Sequence, residues 1–153
     1  MKKLCILIFI GILFASCEQK PSLKDQMVDS WETTYVKIEM KTFQEGESTH
    51  IFEDNFNNNP PRRARSHYKE DGTYISWYVT PTGEILGENP GIWSVFGDSL
   101  YIEYNYEGEN IKIAYHVAMN ENGFDGRSMH DWDNDGEYDD LLMMKTKRII
   151  LEE

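Results

Sequence analysis

The run Ser99-Leu100-Tyr101-Ile102-Glu103-Tyr104-Asn105-Tyr106-Glu107-Gly108-Glu109-Asn110-Ile111-Lys112-Ile113-Ala114-Tyr115-His116-Val117 decides how this chain folds. Leu100, Ile102, Tyr104 and Tyr106 alternate with Tyr101, Glu103 and Asn105; beyond Glu107-Gly108 the alternation resumes with Ile111, Ile113, Tyr115 and Val117. Successive side chains of a strand point to opposite faces, so a period of two marks a strand with one packed face. Gly108 supplies the positive φ that a tight hairpin turn requires. The run therefore predicts two antiparallel strands joined by a short turn.

The same pattern extends in both directions. Val36, Ile38 and Met40 alternate with Lys37, Glu39 and Lys41, and Ile75, Trp77 and Val79 with Tyr74, Ser76 and Tyr78. Asp71-Gly72, Gly97-Asp98 and Asn122-Gly123 punctuate the runs as hairpin turns. Together these signals predict strands over 31–43, 49–53, 64–69, 73–80, 91–96, 99–106, 110–119, 124–131 and 140–149, with no convincing helical period. The segment from Asp54 to Arg63 holds Asn57-Asn58-Asn59-Pro60-Pro61 and reads as a long surface loop, because proline offers no donor to a ladder. Eight or nine short antiparallel strands with hairpin links fit a sandwich or a barrel. A meander closes most simply into a small up-and-down β-barrel, which leaves no exposed edge. With 153 residues, 40% of them hydrophobic, the chain can fill one such core.

The N-terminus reads as an address. Met1-Lys2-Lys3 precedes an apolar run from Leu4 to Phe14, too short for a permanent membrane span of about 20 residues. Ala15-Ser16-Cys17 ends it and resembles the lipobox of bacterial lipoproteins, in which the cysteine is lipidated and becomes the first residue. Residues 1–16 are then a signal peptide, Cys17 carries the acyl anchor, and 17–26 form a polar tether to a barrel domain over 27–153. Cys5 leaves with the signal, so the mature chain has one thiol and no internal disulfide. Loss of Lys2 and Lys3 leaves 13 basic against 27 acidic residues, a formal charge of -14. Such acidity argues against nucleic acid, whose binding requires surplus Lys and Arg, and leaves attachment to a membrane to the acyl chains.

Met27-Val28-Asp29-Ser30-Trp31, Asp71-Gly72-Thr73-Tyr74, Gly91-Ile92-Trp93, Asp98-Ser99-Leu100-Tyr101-Ile102 and Lys147-Arg148-Ile149 together resemble the lipocalin-like lipoproteins of Gram-negative bacteria. The resemblance implies a barrel with one open end, able to hold a small apolar molecule. It also implies that Trp31 on the first strand packs near Arg148 on the last. By the same resemblance, Glu18 after the lipidated cysteine implies the outer membrane.

Six carboxylates fall within ten residues of His130-Asp131-Trp132-Asp133-Asn134-Asp135-Gly136-Glu137-Tyr138-Asp139-Asp140. The D-x-D-x-D-G-x-x-D spacing matches a calcium loop, with side-chain oxygens of Asp131, Asp133, Asp135 and Asp139 and the carbonyl of Glu137 as ligands. Leu142 stands where an EF-hand has glutamate, and the flanks read as strands. The loop is instead similar to the calcium hairpins of integrin-type propeller repeats, which implies a structural calcium ion. A merely solvated acidic turn is the other reading of the same residues.

His50, His67, His116 and His130 show no zinc spacing, and no serine sits in a nucleophile elbow, so no enzyme is expected. Arg62, Arg63 and Arg65 form the one basic cluster, expected to be solvated. The aromatic residues Tyr74, Trp77, Tyr78, Trp93, Tyr104, Tyr106 and Tyr115 lie on strands, either filling a narrow barrel or lining a cavity in it. Two functions follow from these alternatives. One is a lipid-anchored cell-envelope protein whose barrel binds a small apolar ligand; the other is an envelope module with a filled barrel that binds a protein partner.

Overall fold

The computed structural model describes residues 21–41, 43, 48–57, 61–106 and 108–151. Among these residues are one helix, α1 (Leu23–Met27), and nine strands: β1 (Asp29–Met40), β2 (His50–Asp54), β3 (Arg63–Tyr68), β4 (Thr73–Val79), β5 (Ile85–Phe96), β6 (Ser99–Tyr106), β7 (Glu109–Met119), β8 (Phe124–His130) and β9 (Asp140–Ile149). From β3 to β9 each strand pairs antiparallel with the next in sequence, and β1 lies beside β3. β9 then pairs with β1 from Ser30↔Ile149 to Glu39↔Leu141 and closes an eight-stranded barrel. This is the small antiparallel barrel that the alternation predicts.

The ninth strand is β2. Since β9 occupies one edge of β1, β2 and β3 must share the other: Val36–Met40 pairs with β2 and Asp29–Thr33 with β3. The sequence between them holds Pro60 and Pro61, which have no N–H to donate to a ladder. Its described residues bear no strand.

A bulge sets which side chains face inward. Thr33 pairs with Thr146 and Tyr35 with Lys145, leaving Thr34 as an extra residue whose hydroxyl donates to the Lys145 carbonyl at 3.2 Å. One extra residue reverses the alternation. Trp31 and Thr33 before it, and Val36 and Ile38 after it, thereby all face the interior.

One end of the barrel is solid. Trp31, Tyr68, Trp93, Leu100, Val117 and Phe124 are buried there, with Trp31 and Phe124 edge to face at 5.0 Å. The helix α1 packs against this end, although five residues are too few for a stable isolated helix. It is held by a capping box between Ser22 and Asp25, by the fully buried Met27, and by the Trp31 indole N–H donating to the Met27 carbonyl at 3.0 Å. The segment read as tether is therefore ordered structure from Ser22 onward, its Leu23 packed on the core. Arg148 lies over the Trp31 ring at 4.7 Å, pairs with Asp29, and donates to the Gln26 carbonyl at 3.1 Å. Trp31 and Arg148 are also register partners.

Two sequence expectations are corrected. β5 starts at Ile85, not at 91, despite Gly87 and Pro90. Residues before Gly91 pair only with β4, so Pro90 sits where its missing donor leaves no gap in a second ladder. The arginine cluster is also not simply solvated. The buried Glu32 carboxylate accepts from Arg65 Nε and Lys147 Nζ, both at 3.0 Å, with Arg63 at 4.0 Å; Arg62 stacks over Tyr78 at 4.7 Å.

Burial pushes the Glu32 carboxyl up, but hydrogen bonds from Lys147 and Arg65 outweigh it and hold it below the usual 4.5. This contribution is complete above the unfolded value and is lost as pH falls through the lower folded value. The destabilisation caused by Glu32→Gln, measured by urea unfolding, should therefore be large at pH 7 and shrink as pH falls below the ordinary carboxylate value. Trp31→Ala should lower the unfolding free energy by about 3–5 kcal/mol in the same assay.

Candidate ligand cavity and acidic loop

Beyond the solid end the side chains no longer fill the barrel. A cavity of about 330 Å³ runs from Tyr68 and Phe124 toward Tyr78 and Tyr106, at the ends of β4 and β6 away from α1. This is the lower end of the range of about 300–1,000 Å³ that small-molecule pockets occupy. Its lining is dominated by six tyrosines, Tyr68, Tyr74, Tyr78, Tyr104, Tyr106 and Tyr115. Period two places them. Tyr104 and Tyr106 follow the buried Leu100 and Ile102 along one face of β6, and Tyr115 lies between the buried Ile113 and Val117 on β7.

Tyrosine suits such a wall because its ring is apolar while its hydroxyl needs a partner when buried. Tyr68 and Tyr74 face each other across the β3–β4 pair, their rings 4.9 Å apart. Burial pushes the Tyr74 hydroxyl up to about 12, and it raises those of Tyr68, Tyr104 and Tyr115 as well. These groups are neutral donors at physiological pH. Arg65 is the one charged residue among the described lining residues, and its Nε is engaged by Glu32. Trp77 is buried but stands apart from the contiguous core, while Trp93 belongs to it.

The acidic loop joins β8 to β9 at the end of the barrel opposite α1. It is folded back by its own carboxylates. Asp131 accepts from the backbone N–H of Asp135 at 3.1 Å and of Gly136 at 3.0 Å, and Asp133 accepts from Asp135 N–H at 3.2 Å. Asn134 and Gly136 take positive φ. Glu137 N–H donates to Asp135 at 2.8 Å, and the Glu137 side chain is exposed.

Of the carboxylates proposed from spacing, the fold gathers Asp131 and Asp133, and it adds Asp140; one oxygen from each lies within 4.8 Å of the others. Asp135, Glu137 and Asp139 supply no side-chain oxygen to that group. Asp140 is 2% exposed and accepts from the Trp132 backbone N–H at 2.8 Å. The spacing motif ends at Asp139, so it misses Asp140. The visible signal was the inward row Asp140, Leu142, Met144 and Thr146 on β9. Among the described residues, the buried side-chain polar atoms without a partner are Ser128 Oγ on β8 and Trp132 Nε1, Asp133 Oδ2 and Asp139 Oδ1 in this loop. Partial burial pushes the Asp133 carboxyl up, and the negative charges of Asp135, Asp140 and Asp131 add to the effect.

One seryl-imidazole contact escaped the sequence reading: Ser30 Oγ lies 2.8 Å from His67 Nδ1 across the β1–β3 pair. Ser30 is only 4% exposed. Cys17, the expected lipidation site, lies outside the described residues.

Because burial raises Tyr68, Tyr74, Tyr104 and Tyr115, the stability they confer is complete below the ordinary value of 10 and is lost as pH rises toward about 12 for Tyr74. Phenolate absorbance should therefore show a late stage, carried by these four residues, that coincides with loss of near-ultraviolet circular dichroism. A single smooth titration near pH 10 with the fold retained would contradict the burial.

No family model, no curated protein and no solved structure matches this chain.

Proposed function

We propose that this chain is an exported cell-envelope protein, anchored in the outer membrane through acyl chains on Cys17, whose lipocalin-like barrel binds a small and largely apolar ligand. The observation that carries this reading is the cavity of about 330 Å³ inside the barrel, where eight strands would leave space for little beyond their own side chains. The solid end around Trp31 and α1 supports it, since a cavity closed below and open above holds a ligand without splitting the fold. The signal-like residues 1–16 and the single mature cysteine support the anchor.

The test is native mass spectrometry of the protein purified from its own membrane. A co-purifying small molecule lost on substitution of Ala64 by Trp at the cavity wall is the expected result. Bare protein, with no competitive displacement of a fluorescent apolar probe, would favour the protein-binding module instead. Metabolic palmitate labelling should mark the wild-type chain and not Cys17→Ser, which should leave the membrane fraction.

A calcium ion in the β8–β9 loop completes the reading. Asp131, Asp133 and Asp140 would hold it, with Asp139 and the Glu137 carbonyl as further oxygens; the unpartnered buried oxygens of Asp133 and Asp139 support this. An all-oxygen loop with several carboxylates suits calcium better than magnesium. Saturating calcium should raise the melting temperature by roughly 3–8 °C, with chelator reversing the gain. Asp140→Asn, which keeps an acceptor for the Trp132 N–H, should abolish the shift. An identical melt with calcium and chelator would sink the assignment.

A further inference from the structure

The ligand chemistry follows from how the tyrosines are arranged, an inference that rests on the cavity being a binding site. Tyr74, Gly91 and Tyr104 form one cross-strand row, with glycine between the two rings. A Cβ at Gly91 would lie 2.3 Å from the Glu103 carbonyl oxygen and 2.9 Å from the Tyr104 Cβ, so no side chain can occupy the gap between them. Since it pairs with Leu100 while Tyr104 pairs with Ile111, Tyr115 lines the same cavity nearer α1. It is 8% exposed, lines the cavity, and its hydroxyl makes no hydrogen bond with any described residue.

That hydroxyl is not among the fully enclosed polar atoms and so opens to the cavity space, where an apolar ligand would take water from it and offer no hydrogen bond in exchange, which is costly. A ligand oxygen that accepts from Tyr115 removes that cost, while the flanking rings of Tyr74 and Tyr104 offer aromatic faces to a planar group. Charge is disfavoured. The one charged lining residue, Arg65, alternates along β3 with the inward Ala64 and Ser66 and donates its Nε to Glu32 on the other face, so an anion entering the slot would lose its hydration without a cation aimed at it.

We propose that the cavity is selective for a small, neutral, planar ring compound bearing a hydroxyl or carbonyl oxygen, with Tyr115 as the hydrogen-bonding residue and Tyr74 and Tyr104 as the walls of the slot. A purely hydrocarbon ligand of the same shape binds more weakly, and so does its carboxylate counterpart.

The experiment compares naphthol, naphthalene and naphthoate by calorimetry on the purified full chain. Naphthol should bind about tenfold tighter than either of the others, the effect of one well-placed hydrogen bond in a desolvated site. Tyr115→Phe removes one oxygen and no volume, and it should erase the advantage of naphthol while leaving naphthalene unchanged. Should that variant fail to fold, Tyr104→Phe keeps the wall and the Tyr115 hydroxyl, so naphthol must retain its advantage there. Ala64→Trp should abolish binding of all three.

Equal affinity for naphthol and naphthalene would overturn the hydrogen-bonding role and leave the binding cavity standing. Tightest binding of naphthoate would overturn the preference for a neutral ligand. Binding of none of the three, with the fold intact, would overturn this inference and count against the binding reading on which it rests. Binding that persists in Ala64→Trp would place the site outside the cavity and overturn it as well.

Discussion

The pairing of β1 with β9 is the constraint on which everything else depends. The other strand pairs of the barrel join consecutive strands or, for β1 and β3, strands with only β2 between them, but this ladder brings residues more than a hundred positions apart into register, from Ser30↔Ile149 to Glu39↔Leu141. Such a contact comes late in loop-closure terms and must be rewarded when it forms. Two interactions on opposite faces of β1 reward it. Inside, Trp31 meets Phe124; across the ladder, Glu32 gathers Lys147 from β9 and Arg65 from β3. Arg148 then ties the seam to α1 through the Trp31 ring and the Gln26 carbonyl.

Closure also divides the interior. At the α1 end the large side chains Trp31, Trp93 and Phe124 meet in the centre and leave no room. Further along, the inward positions belong to tyrosines at the walls and to small residues such as Ala64, Ser66 and Ser76. Small residues opposite tall ones create space that is not refilled, and the hydroxyls make that space amphipathic. The Thr34 bulge matters here. Without the parity change it introduces, Val36 and Ile38 would turn outward and charged residues of β1 would face the cavity end.

The acidic loop belongs to the same mechanical unit. Its last residue, Asp140, is the first of β9 and points inward, so the geometry of the loop and the start of the closing strand are linked. Carboxylates that accept backbone N–H groups of their own loop explain how so many negative charges tolerate one turn. The cavity and the loop occupy the same end of the barrel, away from α1.

The sequence by itself determined the strands. Their alternation and Gly-containing turns are local properties of neighbouring residues, and eight of nine strands fall within a few residues of where the pattern places them. The ninth, β5, begins at Ile85 rather than at 91, where residues before Gly91 pair with β4 alone, a one-sided pairing that no local alternation marks. Which face of each strand points inward was not legible on β4, where Tyr74 and Tyr78 alternate with Ile75, Trp77 and Val79 and both rows are apolar enough for a core. The carboxylate cluster was half legible: spacing along the chain located Asp131 and Asp133, but Asp140 joins them only because β9 pairs with β8 and turns that side chain inward. The cavity belongs wholly to the tertiary structure. Its volume is the difference between the girth that eight strands enclose and the side chains they send inside, and no local segment carries that quantity.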